Sequence, residues 1–441
     1  MELVLPQKVR AILDTLTAAG FEAYAVGGCI RDSILGKKPK DWDITTSAKP
    51  DQVKALFPRT IDTGILHGTV TVLMGREGFE VTTYRIDGKY EDSRHPTEVT
   101  FTPSLVEDLK RRDFTINAMA YNHINGLVDA FDGIGDIRRG IVRCVGDACQ
   151  RFKEDALRMM RAVRFAAQLG FSIEEKTYAA VCAMSSDLSR ISAERISAEL
   201  LSLLLSDHPQ EMRTLYQTGI TGVILPEFDA MMHTEQNNPH HIYTVGEHTI
   251  KALGYIEADK VLRLTMLLHD VAKPVCRTAD ENGIHHFHGH PKCGSEMARK
   301  ILRRLKFDND TITRVCRLVA GHDDNPPLTE KSIRRAMVRI GIDAYPEIFA
   351  VKRADILAQS EFGRTQKLEY LKQYEAYYHR IKAAGQCLTL KELAVNGSDL
   401  IALGIPQGQE LGQALKALLE IVLEDPSKNT KDYLLAQINR A

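Results

Sequence analysis

Several features that mark special protein classes are missing from this 441-residue sequence. No apolar run approaches the roughly 20 residues that span a membrane. The N-terminal segment carries charges through its apolar part and has no small-residue cleavage site, which argues against a secretory signal. The eight cysteines contain no CxxC pair. With no sign of export, we expect mostly buried, reduced thiols in a soluble cytoplasmic protein without a membrane partner.

A strong charge of either sign is also missing. Lys and Arg total 57 and Asp and Glu total 58, so the formal net charge is −1. A uniformly basic surface is therefore excluded, and any surface that binds nucleic acid must be local. Basic residues do cluster in a pattern typical of either a solvated helix face or a phosphate contact, at Lys110–Arg112, Arg138–Arg139, Arg299–Lys300 and Arg303–Arg304.

The length and the 44% hydrophobic content are those of a globular protein with three or four modules. In the first third, residues 69–74 (TVTVLM) and 79–86 (FEVTTYRI) alternate and are rich in β-branched side chains, which predicts two strands. The intervening residues 75–78 suit a hairpin turn. Residues 9–20 predict an opening helix that ends at a glycine.

From about Gln150 onward, strand patterns nearly vanish and apolar residues recur at three- and four-residue spacing, the period of a helix. This change of period is the clearest domain boundary in the chain. Residues 282–291 (NGIHHFHGHP) predict a loop or short hairpin within the helical part. The overall prediction is an α+β fold, with a mixed sheet at the N-terminus and helices after it.

The segment VGGCIRDSILGKKPKDWDITTSA (residues 26–48) combines glycines, an arginine and paired carboxylates. Asp41 and Asp43 are two residues apart, so in a strand both would face one side and could bind one or two Mg²⁺ ions. Gly27 and Gly28 precede a predicted helix and let phosphates approach backbone N–H groups. Arg31 adds a guanidinium suited to phosphate oxygens. A glycine-rich turn with a solvated Asp pair is the alternative.

This segment resembles the polymerase-β-type nucleotidyltransferases, specifically the class II tRNA nucleotidyltransferases and their relatives the bacterial poly(A) polymerases. The resemblance implies that Asp41 and Asp43 are catalytic ligands of Mg²⁺. The third carboxylate of the superfamily lies between apolar residues on a following strand. Glu80 in GFEVTTYR matches that position, with a structural strand residue as the alternative.

Residues 111–122 (RRDFTINAMAYN) resemble the second block of that family. The resemblance implies that Arg112 contacts the nucleotide or its triphosphate, whereas we expect Arg111 at the surface. Residues 192–201 (SAERISAELL) resemble the next block, whose charged residues Glu194, Arg195 and Glu199 we expect to support a helix rather than catalyse.

The segment EDALRMMRAVRF (154–165) places Asp155, Arg158, Arg161 and Arg164 three residues apart, which predicts one side of a helix. Such a stripe is usually solvated. A carboxylate accepts from an exocyclic amine and a guanidinium donates to ring nitrogens, so Asp155 and Arg158 could read cytosine and adenine but not G or U. The resemblance implies this second role, because the family uses EDxxR as a protein template for CTP and ATP. It also implies nucleotide contacts for Arg161 and Arg164.

Residues 87–101 (DGKYEDSRHPTEVTF) predict a polar, mobile loop. A loop at this position helps CCA-adding members of the family to switch from CTP to ATP, and enzymes that add only CC lack it. Its presence therefore favours complete CCA addition.

In the helical half, residues 267–274 (LLHDVAKP) resemble the HD phosphohydrolase motif. Adjacent His269 and Asp270, with histidines from other helices, would be a sensible shell for a second divalent metal. The expected partners are His248, His290, His322 and, as a further candidate, Asp355; Asp323 and Asp324 could join the shell or be exposed. Satisfied structural histidines are the alternative.

These observations predict a nucleotidyltransferase head over residues 1–140, a helical neck over 141–215, an HD-like body over 216–365 and a helical tail over 366–441. The tail resembles that of the family, which implies that it binds tRNA. The expected reaction is addition of the terminal CCA to tRNA from CTP and ATP, with release of pyrophosphate. The alternatives are a poly(A) polymerase, an enzyme that adds only A or only CC, an HD-type phosphohydrolase whose head only binds nucleotide, and a non-enzymatic RNA-binding protein.

Overall fold

The computed structural model describes residues 2–88, 99–240 and 242–438. The chain divides into two compact units, residues 1–226 and 227–441. The finer division into head, neck, body and tail stays a prediction. Most of the predicted switching loop, residues 89–98, lies outside the described residues. None of the described helices is both long and apolar enough to cross a membrane.

Short strands characterise the first unit. They are β1 (Ala23–Val26), β2 (Asp43–Thr46), β3 (Thr60–Gly64), β4 (Thr69–Met74), β5 (Glu77–Thr83), β6 (Arg85–Asp87), β7 (Val99–Phe101), β8 (Ala120–Asn122), β9 (Gly126–Val128), β10 (Ile141–Val142) and β11 (Ser172–Ile173). Seven of them form one sheet in the order β3-β4-β5-β2-β1-β8-β9. β2 and β5 run parallel, and the other neighbouring strands of this sheet run antiparallel. The predicted mixed sheet is confirmed.

The predicted hairpin forms from β4 and β5, with a shorter turn than the sequence suggested. Met74 pairs with Glu77, so only Gly75 and Arg76 form the turn. Gly75 has a φ of +72°, which favours glycine. Gly78 already belongs to β5, where a Cβ would lie 2.9 Å from a methyl carbon of Thr71 on the facing strand. This glycine therefore serves close cross-strand packing rather than the turn.

The helices of the first unit surround and follow this sheet. They are α1 (Gln7–Ala18), α2 (Gly28–Ile34), α3 (Pro50–Leu56), α4 (Leu105–Lys110), α5 (Gly133–Arg139), α6 (Ala148–Glu154), α7 (Leu157–Leu169), α8 (Glu175–Met184), α9 (Ala193–Leu204), α10 (Met212–Gln217), α11 (Ile220–Ile224) and, at the unit boundary, α12 (Pro226–Met232). The predicted opening helix is α1, which buries Val9, Ile12, Leu13 and Leu16. Its apolar spacing of three and four residues explains both its formation and its buried face.

One hydrophobic cluster holds α4 against the sheet near the paired carboxylates. Leu105 and Leu109 of α4 pack with Tyr24 and Val26 of β1, and with Tyr84 just after β5. Burying an aliphatic side chain contributes about 1.5–3 kcal/mol. The cluster therefore fixes the segment after α4, which carries Arg111 and Arg112, relative to the central strands.

Among its described residues, the second unit is helical apart from one short strand pair. Its helices are α13 (Val245–Leu253), α14 (Lys260–Leu268), α15 (Lys273–Cys276), α16 (His290–Arg304), α17 (Asn309–Gly321), α18 (Glu330–Ile340), α19 (Tyr345–Ala358), α20 (Arg364–Ala383), α21 (Gly397–Ala402), α22 (Gln409–Glu424) and α23 (Lys431–Ile438). β12 (Thr278–Ala279) and β13 (His285–His286) pair antiparallel. Of the two predicted forms, loop or short hairpin, the structure shows the hairpin, which begins before residue 282. The switch from strand to helix along the chain is thus confirmed.

All eight cysteines are free, in agreement with the expected reduced thiols. Only four of them are buried, namely Cys29, Cys144, Cys316 and Cys387.

Candidate active site

Asp41 and Asp43 lie at the start of the central strand β2. The strand begins at Asp43, so the prediction that both lie in a strand is wrong for Asp41, which precedes it. Both border a cavity of about 890 Å³, together with Trp42, the one tryptophan of the chain. Burial raises the pKa of Asp43, the guanidinium of Arg112 lowers it, and the charge of Asp41 raises it again.

Glu80 lies beside Asp43 on the neighbouring strand. Ile44 of β2 pairs with Val81 of the parallel strand β5, so the residues immediately before them are also neighbours. Burial raises the pKa of Glu80, and the charges of Asp43 and Asp41 raise it further. The structure therefore brings the three predicted carboxylates together, as a divalent-metal site requires.

The spacing of these carboxylates is wider than in a closed ligand cluster. Among the described residues, the two sets whose ligand atoms all lie within 4.8 Å of one another are in the second unit. An open set of oxygen ligands still fits Mg²⁺, which usually keeps several positions for water and substrate phosphates.

Gly27 and Arg112 lie close to each other near Asp43, whose partner in strand β1 is Val26, the residue before Gly27. Gly27 has a φ of +88°, and a Cβ there would lie 3.0 Å from Nη1 of Arg112. Glycine is therefore needed for both the backbone conformation and the close approach of the guanidinium. Gly28 begins α2, where a Cβ would lie 3.6 Å from Nη2 of Arg31.

Arg112 is held by long-range charges rather than by close ion pairs. Among the described residues, the carboxylate at ion-pair distance from it is that of Asp108, 3.9 Å away. Burial lowers the pKa of Arg112, whereas Asp108 and Asp43 raise it. Its buried Nε–H has no hydrogen-bond partner among the described residues. A buried donor in this position is available to an anionic ligand.

Arg111 was expected at the surface, and this expectation is wrong. Its side chain is 18% exposed, and its Nε donates to Asp108 at 2.9 Å while Nη1 lies 3.7 Å from Asp87. The burial follows from the packing of α4, which brings the buried Asp108 within reach. Arg111 thus ties α4 to β6.

Arg31 is engaged by neighbouring side chains. Its Nη1 donates to Asn117 at 2.7 Å, and its Nε and Nη2 donate to Asp32 at 2.9 and 2.7 Å. The guanidinium also lies 5.0 Å from the centre of the Phe165 ring. Most of its donors are therefore used within the protein, and its role as a phosphate contact stays a prediction.

Asp155 does not share a helix with the three arginines. It lies in the break between α6 and α7, where its Oδ1 accepts from the backbone N–H of Leu157 at 3.0 Å. Its Oδ2 accepts from Arg195 of α9 at 2.6 Å. The three-residue spacing between Asp155 and Arg158 therefore predicted the wrong local structure for Asp155. A carboxylate that caps a helix can stand at the same distance from the first arginine as a residue within the helix.

Arg158 is oriented from both sides. Its Nη1 donates to Glu154 at 2.7 Å and to the carbonyl of Arg151 at 3.3 Å, and its Nη2 donates to the carbonyl of Arg111 at 3.1 Å. These contacts fix the plane of the guanidinium. They also join the predicted template to the segment that carries Arg112.

Arg161 and Arg164 are anchored by acidic residues on other elements. Arg161 donates twice to Asp113, at 2.9 and 2.6 Å, and Arg164 pairs with Glu199 of α9. Arg164 also lies over the ring of Phe165, 4.0 Å from its centre. The predicted stripe is therefore a set of neutralised, largely buried guanidinium groups rather than a solvated face.

Five residues that hold the predicted template in place were not among the predicted site residues. They are Asp113, Asn117, Glu154, Arg195 and Glu199. Arg195 and Glu199 were assigned to helix support, yet both contact predicted nucleotide-reading residues. Asp113 follows Arg112 directly in the motif RRD. Its partner Arg161 lies 48 residues away, so the sequence around Asp113 does not reveal the pair.

In the second unit, the expected histidines and Asp270 do converge. His248, His269, Asp270, His290 and His322 are all buried. They form two sets with ligand atoms within 4.8 Å of one another, His248–His269–Asp270 and Asp270–His290–His322.

Asp270 is shared by both sets. Its oxygens lie 3.2 Å from Nε2 of His269, 3.4 Å from that of His290 and 3.6 Å from that of His322. Burial acts to raise the pKa of Asp270, yet His269 and Lys273 hold it well below its usual range. Asp355 also joins the cluster, 2.8 Å from Nε2 of His248, whereas Asp324 pairs with Arg339 at 2.6 Å.

Backbone contacts orient three of these histidines. The Nδ1–H groups of His269, His290 and His322 donate to carbonyls three residues earlier, at 2.8, 2.8 and 2.7 Å. An imidazole that donates from Nδ1 presents a lone pair at Nε2, which is the arrangement of metal-binding histidines. The donor set therefore fits a divalent cation.

The chain matches three protein-family descriptions along its length. Residues 23–143 match "Poly A polymerase head domain", residues 170–232 match "Probable RNA and SrmB- binding site of polymerase A", and residues 281–438 match tRNA nucleotidyltransferase domain 2. The chain is also 37% identical over 435 residues to the CCA-adding enzyme of Lactiplantibacillus plantarum, covering 97% of this chain and 95% of that protein. It belongs to the CCA-adding enzyme family.

Other CCA-adding enzymes agree with this assignment. That of Limosilactobacillus fermentum is 37% identical over 433 residues, covering 97% of this chain and 95% of that protein. The crystal structure of the Bacillus stearothermophilus CCA-adding enzyme in complex with CTP has a TM-score of 0.75 and 30% identity, covering 99% and 98% of the two chains. The predicted resemblance and the α+β fold are confirmed. The chain is a tRNA nucleotidyltransferase that adds CCA without a nucleic-acid template, and the alternative functions are not favoured.

Proposed function

We propose that the first unit adds C, C and A to the 3′ end of tRNA at the cavity bordered by Asp41 and Asp43, with Mg²⁺ as its metal. One observation carries the assignment of the site. Asp43 and Glu80 lie side by side on parallel strands, with Asp41 close enough to raise the pKa of both. Magnesium, when bound, favours ionisation of the attacking hydroxyl and neutralises charge on the leaving pyrophosphate.

The triphosphate of the incoming nucleotide would lie against Gly27 and Arg112. Gly27 has no side chain, so Nη1 of Arg112 can lie against its backbone. Arg112 offers its buried Nε–H and a positive charge within reach of Asp43. This charge would partly offset the repulsion between the phosphates and the carboxylates.

Base selection would fall to Asp155 and Arg158. Cytosine and adenine each present an exocyclic amine next to a ring nitrogen, which suits a carboxylate beside a guanidinium. Guanine and uracil present a carbonyl oxygen in place of the amine and would repel Asp155. Arg195 and Glu154 hold the two side chains, so a small shift of this assembly would accommodate the second base.

CTP, ATP and tRNA are the partners in this proposal. The CTP complex of the Bacillus stearothermophilus relative supports CTP. Contacts of the basic helix faces and of the tail with tRNA, and a cytoplasmic location, stay predictions.

The test of this function uses tRNA that lacks its 3′ end, Mg²⁺, and each labelled nucleotide alone and in combination. We expect two C from CTP, then one A once ATP is present, and no further addition. Long A tails from ATP alone would instead indicate a poly(A) polymerase. Addition of A only to tRNA ending in CC would indicate an A-only enzyme.

The test of the site compares Glu80→Gln with Asp62→Asn. We expect Glu80→Gln to lower kcat at limiting Mg²⁺ by at least about tenfold, with partial rescue at high Mg²⁺, because one metal ligand is lost. Asp62 is the matched control, since its carboxylate pairs at the surface with Lys54. Equal activity of the two variants would assign Glu80 to a structural role.

We also propose that the second unit binds one divalent cation at His269 and Asp270 with His290 and His322. The convergence of three oriented Nε2 atoms on one buried carboxylate supports this. Calorimetric titration of the full chain with Mn²⁺ should show a site that His269→Ala removes. His379→Ala, at an exposed position, should keep this site. If His269→Ala binds as many Mn²⁺ ions as the wild type, the proposal is contradicted.

A further inference from the structure

Two thiols of the second unit lie next to each other, although they belong to different helices. Cys276 is the last residue of α15, and Cys293 lies in the first turn of α16. The two side chains are close enough to share a hydrogen bond. Both are partly exposed, so a small reagent in solution can reach them.

Backbone contacts hold this pair of thiols in place. The N–H of Cys276 donates to the carbonyl of Ala272 at 3.0 Å, and the N–H of Cys293 donates to the carbonyl of Gly289 at 3.2 Å. At Gly294, a Cβ would lie 3.7 Å from the Cβ of Ala272. The residue after Cys293 therefore packs against the helical turn that ends at Cys276, and the packing of α15 on α16 brings the thiols together.

Two neighbouring thiols can either bind a thiophilic cation or form a disulfide. The sets of three potential metal ligands among the described residues include neither Cys276 nor Cys293. A pair of cysteines by itself is a poor zinc site, since zinc in a structural site takes a full tetrahedral set of protein ligands. A disulfide needs no partner beyond the two sulfurs. The surroundings of this pair therefore favour the disulfide.

A bond between the two sulfurs would close the segment that carries β12 and β13. Thr278 of β12 pairs with His286 of β13, so the two arms of this segment already lie side by side. A covalent bond at the base of the hairpin restricts the motion of the chain between the two helices. His285 and His286 also border the cavity of about 530 Å³ next to the histidine cluster. The bond would thus restrain one wall of that cavity.

We propose that Cys276 and Cys293 form a reversible disulfide within the chain, by exchange with a low-molecular-weight disulfide of the glutathione type. One protein thiolate attacks a sulfur of the small disulfide, which breaks its S–S bond and releases one small thiolate that takes up a proton. The second protein thiolate attacks the resulting mixed disulfide, forms the bond between the two cysteines and releases the second small thiol. The protein thiols lose two electrons, and the small disulfide is reduced to two thiols.

The rate of this exchange depends on the thiolate fraction. Burial raises the pKa of Cys276, and the charge of Cys293 raises it further. The bond should therefore form slowly at neutral pH and faster at alkaline pH. In a reducing compartment the pair stays reduced, and an increase in small disulfides converts it.

The experiment incubates the full chain with oxidised glutathione at neutral and alkaline pH, blocks the remaining thiols with N-ethylmaleimide and digests the protein with trypsin. Cys276 then lies in the peptide 264–277 and Cys293 in the peptide 293–299. Mass spectrometry distinguishes free, glutathione-bound and linked peptides. The variants are Cys276→Ser and Cys293→Ser, and the matched control is Cys149→Ser, an exposed cysteine of the first unit.

In the wild type and in Cys149→Ser, we expect the two peptides to appear as one linked species that dithiothreitol separates again. Cys276→Ser and Cys293→Ser should instead keep glutathione on the remaining cysteine, because no second thiol is present to release it. The wild type should carry at least about tenfold less of this adduct than either variant, since the second step is intramolecular and has a high effective concentration.

Three results would overturn the proposal: stable glutathione adducts on the wild-type peptides without a linked species, no reaction of either cysteine at alkaline pH, or a bond that forms only between two chains, seen as a dimer on a non-reducing gel. Hydrogen exchange of residues 278–292 should slow in the oxidised wild type and stay unchanged in Cys293→Ser treated in the same way. Equal exchange in the oxidised and reduced wild type would overturn the restraint of the hairpin.

Discussion

The replacement Asp113→Asn tests whether the template arginines depend on buried charge pairing. Asp113 accepts two hydrogen bonds from Arg161, at 2.9 and 2.6 Å, one from Asn117 at 3.2 Å and one from the backbone N–H of Phe114 at 2.8 Å. The Asn variant keeps the shape of the side chain but removes its charge. Arg161 would then lack its main counter-charge next to Arg158.

The expected loss follows from the burial of the pair. Breaking a fully buried ion pair by removing one partner costs about 3–5 kcal/mol. The Arg161 side chain is 34% exposed, so water screens part of the interaction, and we expect Asp113→Asn to lower the free energy of unfolding by about 2–3 kcal/mol.

The pH dependence of stability provides a second signature. Burial acts to raise the pKa of Asp113, but Arg161 and Arg158 hold it well below its usual range. A carboxyl with a depressed folded pKa adds stability that is present above its unfolded value of about 3.9 and is lost as the pH falls below it. This acid-sensitive contribution should be missing from Asp113→Asn.

Urea unfolding followed by tryptophan fluorescence measures this effect in the first unit, because Trp42 is the one tryptophan of the chain. CTP incorporation measured beside it should show a raised KM. Asp187→Asn, whose partner Arg190 is 68% exposed, should leave unfolding unchanged. A difference of less than about 0.5 kcal/mol between Asp113→Asn and the wild type would refute the reasoning.

Three other predictions concern Gly27, the pH dependence of the site and the second unit. Gly27→Ala should lower kcat/KM for CTP and ATP alike, by at least about tenfold, since the strained backbone and the displaced Arg112 disturb triphosphate binding. In the incorporation assay, an effect on one nucleotide alone would contradict this. Metal binding needs ionised Asp43, whose pKa is raised, so the loss of activity on acidification should begin at a higher pH than for an ordinary carboxyl. Arg112→Met should move the acid limb of the pH–rate profile to still higher pH, and an unmoved limb would exclude the charge effect. Arg334→Ala should lower the thermal stability of the second unit, because Arg334 donates to the last carbonyls of α22 at 2.8 and 3.1 Å. Circular dichroism melting that matches the wild type would contradict this, and the exposed Arg303 of α16 provides the control.

The local patterns of the sequence were reliable where the neighbours along the chain decide the structure. The alternation in residues 69–74 and the spacing of apolar residues in α1 predicted the observed elements. The motif around Asp41 and Asp43 predicted carboxylates that border a cavity of the first unit. In these cases the period of the side chains or the chemistry of adjacent residues carries the information.

Predictions failed where a distant partner decides. Asp155 was placed on a helix with Arg158, but the bond from Arg195 and the capping of Leu157 place it in a break. Arg111 was expected in water, but Asp108 and Asp87 bury it. The spacing of residues along the chain does not predict these contacts.

The sequence by itself determined the family and the order of strand and helix, because motifs and periodicities are written in adjacent residues. It also predicted carboxylates and histidines that the structure brings together. The tertiary structure decided that Glu80 lies beside Asp43, since only the parallel pairing of β2 and β5 sets that register. It likewise decided which acidic residues neutralise the arginines of the predicted template. Charges are paired by distance in space, and in these sites the partners are many residues apart in the chain.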